Sequence, residues 1–358
     1  MKKVKLFIVD DSAIVRQTIS KLVENEADIE LLGVAADPIF AMQKFKTTGL
    51  PDVLILDIEM PRMDGITFLK QIMSENPIAT IICSGVAKSG SSKAIEALQL
   101  GAVELIEKPN MQTKAFLEHS KESLIRSIKS ASISRLKKLP KSSLKSKEKS
   151  FNKIESTDDV IVQKRSNVAV GGKRVIAIGS STGGVQVIEK ILSSLPKTTV
   201  PIMITQHMPA GFTASLAKRL DNICKINVKQ AEDGEELKSS TAYIAPGDTH
   251  MIIQRVGLKY IINIKNGPKV SHHRPSVDVL FRSFANEVGK SGTGIILTGM
   301  GSDGSHGLKE MFDIGAKTYA QDEKSCVVYG MPNEAVKLGG VIKSLSIDKI
   351  IEIIISTR

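Results

Sequence analysis

The order of hydrophobic and polar positions predicts an α/β domain in residues 1–122. Short apolar runs there alternate with amphipathic stretches of helical period, such as Ile14–Glu24 and Ile66–Ser74. The apolar runs predict strands at Val4–Val9, Leu31–Ala35, Val53–Leu56, Thr80–Cys83 and Val103–Ile106. Successive βα units of this size predict a five-stranded, doubly wound parallel sheet with helices on both faces.

The same alternation returns in residues 169–358 and predicts a second, mostly parallel α/β domain. Strands are expected at Arg174–Ile178, Ile202–Thr205, Ile226–Val228, Tyr243–Ala245 and Gly294–Leu297. Helices are expected at Val185–Leu195, Gly211–Leu220, Val277–Val288 and Asp348–Ile355. Two further runs, Met251–Gln254 and Lys259–Ile264, turn around Val256-Gly257 and predict an antiparallel hairpin.

Residues 123–168 separate the two regions and predict a flexible linker. Residues 121–166 contain 13 Lys/Arg and 5 Asp/Glu, so they supply +8 of the net charge of +11. Ser and Lys dominate this segment and large apolar groups are scarce, so it cannot bury enough surface to fold. A basic tail that touches DNA is the alternative; the solvated linker is favoured because the rest of the chain is nearly neutral.

The remaining composition indicates a cytoplasmic protein. No apolar run is long enough to cross a membrane, and no signal peptide precedes the first strand. The three cysteines, Cys83, Cys224 and Cys326, are isolated and show no C-x-x-C spacing, which is typical of a reducing compartment.

Polar residues in the first region follow the strands at their carboxyl ends, where open parallel sheets bind ligands. They are Asp10, Asp11, Asp57, Ser84 and Lys108-Pro109. Converging carboxylates repel unless a cation joins them, and their oxygens suit Mg²⁺. An Asp beside Mg²⁺, with a lysine and a hydroxyl nearby, can accept a phosphoryl group. The alternative, that these carboxylates only cap helices, does not explain the whole set.

On these residues, and on Asp57-Ile-Glu59-Met60-Pro61-x-Met63-Asp64-Gly65, the first region resembles a response-regulator receiver domain. The resemblance implies that Asp57 is phosphorylated by a sensor histidine kinase. It also implies Mg²⁺ ligands at Asp10, Asp11, Asp57 and the Glu59 backbone carbonyl, and contacts of Ser84 and Lys108 with the phosphoryl group. One departure is Leu105, at a position where many receivers have an aromatic switch residue.

The second region contains a strand, tight turn and helix start in Val175-Ile-Ala-Ile-Gly179-Ser180-Ser181-Thr182-Gly183-Gly184. Residues 179–183 match the G-x-S-x-G nucleophile elbow, with Ser181 at its centre. A phosphate-binding loop uses the same geometry, and this stretch alone does not decide between the two.

Two further residues favour the nucleophile. His207 and Asp303 also follow predicted parallel strands, so both share one sheet edge with Ser181. A serine nucleophile needs an imidazole base and an acid that orients it. No G-K-[ST] or full G-x-G-x-x-G supports a phosphate loop, and Asp303 with His306 lacks a third metal ligand. His272-His273 is predicted to be exposed loop.

Long motifs in the second region resemble the catalytic domain of chemotaxis protein-glutamate methylesterases. They include Gln206-His207-Met208-Pro209, Arg274-Pro275-Ser276-Val277-Asp278 and Leu297-Thr-Gly-Met300-Gly-x-Asp303-Gly. The resemblance implies that Ser181 is the nucleophile, His207 the base and Asp303 its partner. Thr182 and the Met300 backbone N–H would border the oxyanion site, and ester hydrolysis would need no cofactor.

The expected protein is therefore a monomeric, phosphorylation-regulated serine hydrolase. It would demethylate glutamate γ-methyl esters of chemoreceptors, releasing methanol, and deamidate receptor glutamines, without binding nucleic acid or inserting into membranes. The alternative is a phospho-dependent binding regulator with a non-catalytic second domain. A DNA-binding regulator lacks a helix-turn-helix candidate after the linker.

Overall fold

The computed structural model describes residues 3–85, 88–108, 114–134, 156–164 and 172–357; in residues 88–91 and 114–120 it describes the backbone only. The chain divides into two compact units, Met1–Leu136 and Lys137–Arg358. Pro109 and most of the predicted linker lie outside the described residues. No helix in the described ranges is long and apolar enough to span a membrane.

Unit 1 is the expected five-stranded parallel sheet. Its order is β2-β1-β3-β4-β5, with helices α1 to α5 following the successive strands. All of β3 and β4 is buried, which explains why their sequences are almost continuously apolar. The bounds are β1 Val4–Val9, α1 Ala13–Val23, β2 Ile29–Ala35, α2 Pro38–Thr48, β3 Val53–Asp57, α3 Gly65–Glu75, β4 Ala79–Ser84, α4 Lys88–Gln99, β5 Glu104–Glu107 and α5 Lys114–Ser132.

Helix α5 corrects the start of the predicted linker, because it continues to Ser132. Its second half places Leu124, Ile128 and Ala131 on one face, and all three are buried. This spacing of four and three residues is the apolar stripe of a packed helix. The high Lys and Ser content around this stripe is the reason why the sequence analysis assigned these residues to the linker.

Unit 2 contains a seven-stranded sheet in the order β14-β13-β12-β6-β7-β9-β8, and all its pairs are parallel. The expected antiparallel hairpin is present as a separate two-stranded sheet, β10-β11. The strands are β6 Val175–Ser180, β7 Ile202–Gln206, β8 Asn227–Gln230, β9 Thr241–Ile244, β10 His250–Val256, β11 Lys259–Lys265, β12 Gly292–Ile296, β13 Lys317–Gln321 and β14 Lys343–Leu345.

The strand order of unit 2 reverses between β6 and β12, which pair with each other but lead away to opposite sides of the sheet. Ligand crevices of parallel sheets form at such a reversal, outside the carboxyl ends of the strands. The helices are α6 Gly184–Ser193, α7 Ala210–Ile223, α8 Val277–Glu287, α9 Ser305–Asp313, α10 Met331–Lys337 and α11 Ile347–Ser356. Nearly every residue of α8 is buried, so α8 is the central helix of this unit.

Residues 156–164, here called the strap, correct the other end of the predicted linker, because they pack on α8. The Asn286 amide donates to the Val162 carbonyl (3.0 Å) and accepts from the Lys164 N–H (2.9 Å). Val160 and Ile161 pack on a small apolar cluster that includes Val279 of α8. These contacts arise only in the tertiary structure, so the local composition did not reveal them.

Candidate functional site

Ser181 lies in the turn between β6 and α6. Its N–H donates to the Thr298 carbonyl (3.0 Å), and its carbonyl accepts from the Gly184 N–H (2.8 Å). Gly183 caps α6 with φ +76°, and a Cβ there would lie 2.5 Å from Val327 Cβ, so the turn requires glycine. The backbone of Ser181 is thus fixed, while its Oγ has no hydrogen-bond partner among the described residues.

The neighbouring Ser180 is different. It is fully buried, and its hydroxyl donates to Gln206 Oε1 at 2.7 Å. The Gln206 amide then donates to the carbonyls of Ser181 (3.0 Å) and His207 (3.1 Å). Ser180 therefore joins β6 to β7, whereas the Ser181 hydroxyl forms no hydrogen bond with any residue that the structure describes.

The structure brings His207 and Asp303 together, with 2.7 Å between His207 Nε2 and Asp303 Oδ2. Both side chains are buried. Asp303 also accepts from the Ser276 hydroxyl (2.7 Å) and from the N–H groups of Val277 (2.8 Å) and Asp278 (3.0 Å). Burial alone would raise the pKa of Asp303. The bond and charge of His207 and these N–H groups outweigh it, so the pKa lies below its ordinary value.

The ionised Asp303 determines which nitrogen of His207 carries the proton. A carboxylate only accepts hydrogen bonds, so the nitrogen facing it, Nε2, must be the N–H donor. In the neutral ring the other nitrogen, Nδ1, then has a free lone pair. Nδ1 is buried and has no hydrogen-bond partner among the described residues. The arrangement leaves Nδ1 available to accept a proton.

Thr182 and Met300 lie on two turns that meet at Ser181. The Thr298 hydroxyl donates to the Thr182 carbonyl at 3.0 Å, and a Cβ on Gly299 would lie 2.7 Å from Ser181 Cβ. Met300 is the residue after Gly299, and its N–H has no hydrogen-bond partner in the described part of the chain. Unpaired N–H groups beside a helix N-terminus are suited to holding a negatively charged oxygen.

Sequence reasoning did not identify the support that surrounds Asp303. Ser276 caps α8 and its N–H donates to Nδ1 of the buried His250 (3.2 Å), whose Nε2 donates to the Pro268 carbonyl (2.8 Å). The buried carboxyl of Asp278 accepts from the Gly307 N–H at 2.8 Å. Burial and the charge of Asp303 raise the pKa of Asp278 to about 8. The Arg274–Asp278 motif was the available signal, but it assigned no role to these residues.

The expectation that His272-His273 is exposed loop is wrong for His273. Its ring stacks on the ring of His207, with 3.7 Å between the ring centroids and 8° between the planes. His272 is exposed, as expected. His306 is also exposed, whereas Asp303 is buried and bonded to four donors, so the two do not form a metal site.

In unit 1, the carboxylates of Asp10, Asp11 and Asp57 converge within 4.8 Å of one another. Asp10 and Asp57 are buried and Asp11 is exposed. The Lys108 ammonium lies 2.7 Å from Asp57 Oδ2 and 3.1 Å from Asp10 Oδ2. These two oxygens have no other hydrogen-bond donor among the described residues. Buried carboxylate oxygens with unused acceptor capacity fit the oxygen ligation that Mg²⁺ prefers.

The electrostatics of this cluster also favour a cation. Burial, and for Asp10 the charge of Asp57, raise the pKa of Asp10 and Asp57 despite Lys108. Burial lowers the pKa of Lys108, but the two carboxylates outweigh it, so the net shift is upward and the ammonium stays charged.

Glu59 and Ser84, also predicted for this site, lie just after β3 and at the end of β4, two strands that pair with each other. Ile58 and Glu59 donate their N–H groups to Asp57 Oδ1, at 2.7 and 3.3 Å. Ser84 is buried at the end of β4, and its carbonyl accepts from the Lys108 N–H at 3.1 Å. Leu105 is buried in β5, so this position contributes to the apolar core.

Comparison with known families gives two matches along the chain. Residues 176–354 match the family described as CheB methylesterase. Residues 6–118 match the family described as response regulator receiver domain.

Whole-length relatives are similar in both domains. The chain is 48% identical to a protein-glutamate methylesterase/protein-glutamine glutaminase of Geobacter metallireducens, over 98% of each chain. It is 49% identical to one from Shewanella oneidensis, over 99% of each. The chain is also similar to the crystal structure of the Thermotoga maritima CheB methylesterase catalytic domain, with 40% sequence identity and a TM-score of 0.51. The match covers 53% of this chain and 100% of the Thermotoga maritima chain.

Proposed function

The chain belongs to the CheB methylesterase family, and from that premise we propose that it is a serine hydrolase acting on chemoreceptors. It removes methyl groups from glutamate γ-methyl esters and releases methanol. It also deamidates receptor glutamines by the same acyl transfer, with ammonia as the leaving group. The relatives in Geobacter metallireducens and Shewanella oneidensis carry both activities in their names.

The observation that carries the proposal is the 2.7 Å contact between His207 Nε2 and Asp303 Oδ2. It leaves Nδ1 as the basic nitrogen, on the same sheet edge as Ser181. Ser181 itself has a fixed backbone and an unused hydroxyl. A nucleophile, a base and an acid that orients the base are the parts that serine hydrolysis requires.

In the first half of the reaction, Ser181 Oγ attacks the ester carbonyl carbon while His207 Nδ1 takes the hydroxyl proton. The new C–O bond produces a tetrahedral oxyanion, which the Met300 N–H and the N-terminal turn of α6 stabilise. The oxyanion collapses, the bond to the methoxy oxygen breaks, and that oxygen takes the proton from His207. Methanol leaves and the glutamyl group remains on Ser181.

In the second half, water attacks the acyl carbon while His207 Nδ1 takes one of its protons. Collapse of the second oxyanion breaks the bond to Ser181 Oγ, which recovers its proton from His207. The product is a glutamic acid side chain, which releases its remaining proton to solvent and becomes a carboxylate. In both halves His207 becomes a cation, and the buried Asp303 carboxylate stabilises it.

We further propose that phosphorylation of Asp57 regulates this activity, with a sensor histidine kinase as phosphodonor. Asp10, Asp11, Asp57 and the Glu59 carbonyl would hold Mg²⁺, which neutralises the charge of the transferring phosphoryl group when bound. Lys108 and Ser84 would contact the phosphoryl oxygens. With these partners, we propose that the protein acts in the cytoplasm.

The alternative, a phospho-dependent binding regulator without catalysis, is not favoured. The buried Asp303 accepts from four donors, and one of them is the ring of His207, a contact that a non-catalytic domain would not require. Maintaining a buried carboxylate is costly unless every acceptor site is satisfied.

The direct test incubates the purified full-length protein with receptor membranes carrying radiolabelled methyl esters. Labelled methanol should be released, and a small-molecule phosphodonor with Mg²⁺ should increase the rate. The proposal is wrong if receptor methylation stays constant with the phosphorylated protein present.

A further inference from the structure

His273 lies between β11 and α8, and its ring stacks on that of His207 with 3.7 Å between the ring centroids. The two planes differ by 8°, so the rings are in full face-to-face contact. We propose that His273 is a positioning residue, which fixes the plane of the His207 imidazole and so directs Nδ1. The proposal rests on the role of His207 as base in the function proposed above.

His207 needs such support because its ring makes a single hydrogen bond to the described residues, from Nε2 to Asp303. The last torsion of a histidine side chain is broad and gives the ring plane little preference of its own. Nδ1 lies further from the axis of this torsion than Nε2 does. Rotation therefore displaces Nδ1 more than it stretches the bond from Nε2 to Asp303, and a flat neighbour parallel to the ring limits that rotation.

His273 is itself held firmly. Its N–H donates to the Val270 carbonyl (2.9 Å) and its carbonyl accepts from the Val270 N–H (3.1 Å). Ser271 and His272, between them, have φ of +49° and +69°, which closes the tight turn. The next residue, Arg274, donates to the Asp248 carboxylate at 2.6 and 3.0 Å.

The strap packs against the same turn through an apolar cluster. Val270 is buried in a cluster with Ile252 and Val279, and Val160 and Ile161 of the strap pack against the same cluster. The strap is also joined to Arg282 of α8 by an ion pair from Asp158, and Arg282 binds Glu310 of α9 in turn. The turn that contains His273 is therefore packed against buried neighbours, and a residue that positions another must itself be held in place.

The proposal requires only that the side chain at position 273 has a flat ring. Substitutions can therefore separate the effect of the flat ring from that of imidazole acid–base chemistry. His273→Phe keeps a planar ring that can stack on His207 and, through its π face, favours the cation formed there during the reaction. His273→Leu keeps apolar volume without a plane. The matched control is the neighbouring, exposed His272→Asn, since Asn tolerates the left-handed backbone of that position.

The kinetic experiment measures methanol release from methylated receptor membranes by the full-length proteins. His273→Leu should lower kcat about 10- to 100-fold, the size of effect that a misplacement of about 1 Å produces, with KM nearly unchanged. His273→Phe should stay within about threefold of the wild type, and His272→Asn should match it. Equal kcat for His273→Leu and the wild type overturns the proposal. So does an equal loss in the Phe and Leu variants, because imidazole chemistry would then be what matters.

A spectroscopic arm does not depend on the enzymatic activity. Stacking places the His207 ring protons in the ring current of His273, so they should resonate upfield in the NMR spectrum, with His207→Gln identifying the signals. The upfield shift should persist in His273→Phe and disappear in His273→Leu; its absence in the wild type overturns the stack. If the wild type shows the shift but releases no methanol, the proposed function fails while the stack stands.

Discussion

Replacing Asp303 with Asn should nearly abolish turnover while the fold persists. Asn keeps the shape of Asp but is neutral, and one of its two positions becomes an NH₂ donor. Each carboxylate oxygen of Asp303 accepts two hydrogen bonds, and one of the two is from a backbone N–H. The Val277 N–H donates to Oδ2, and the Asp278 N–H donates to Oδ1. The NH₂ group must therefore face a fixed donor in either orientation. When it replaces Oδ2, it forces the proton of His207 from Nε2 to Nδ1, the wrong tautomer for a base.

The size of the loss follows from the charge. Two unit charges about 4 Å apart at an effective dielectric constant of about 20 attract by about 4 kcal/mol, or about three powers of ten in rate. The tautomer change adds to this, so we expect turnover to fall about 10³- to 10⁴-fold; replacing the acid of a serine-protease triad costs about 10⁴. The unfolding free energy should fall by only about 1–3 kcal/mol, for one buried donor left unpaired.

Asp278→Asn is the matched control. It neutralises a second buried carboxyl at the same helix end, but one that does not contact His207 and whose pKa is raised to about 8. Because the raised pKa disfavours the charged form of that carboxyl, replacing it with a neutral amide removes little charge from the site, and the variant should retain most of its activity. Methanol release and thermal unfolding of both variants provide the measurements. If Asp303→Asn keeps near-normal turnover, the orienting role belongs to another carboxylate, and Asp248 would be tested next.

Three further predictions concern regulation, electrostatics and the strap. Asp57→Ala should hold full-length methanol release at its basal rate whether or not phosphodonor is present; stimulation of the variant would place the phosphoacceptor elsewhere. Without Mg²⁺, Asp57→Asn should raise the thermal unfolding temperature of unit 1 at pH 7. The raised pKa of Asp57 makes its ionised form costly above that pKa, and the cost disappears as the pH falls towards 3.8; a variant no more stable than the wild type at pH 7 contradicts this. Asp158→Ala should lower the unfolding free energy of unit 2 by up to about 1 kcal/mol, because Asp158 is exposed although its partner Arg282 is buried. No loss in urea titration would mean that the ion pair between Asp158 and Arg282 adds no stability.

Much of the fold could be predicted from the sequence, because buried parallel strands are continuously apolar. Val53–Asp57 and Ile202–Gln206 are buried throughout, and both were identified to within one residue. The carboxyl-end rule then placed Ser181, His207 and Asp303 on one sheet edge, and Asp10 and Asp57 on another. To apply this rule, only the residue at which each strand ends has to be predicted correctly.

Contacts made by irregular backbone could not be predicted in this way. His273 reaches His207 because two successive residues adopt positive φ, which no periodicity encodes. The strap packs through single residues such as Val160, whose partners lie about a hundred positions away in the chain. The end of α5 was missed for a different reason: composition was given more weight than the spacing of Leu124 and Ile128.

The proposed mechanism depends most on which of two adjacent serines is the nucleophile. Methanol release from methylated receptor membranes should be compared for the wild type, Ser181→Ala and Ser180→Ala. Ser181→Ala should remove nearly all hydrolysis, because it deletes the unused hydroxyl beside the Met300 N–H. Ser180→Ala should keep most of it and lose about 1–3 kcal/mol of stability, since Gln206 Oε1 loses its buried donor. Equal activity of the two variants would contradict the account.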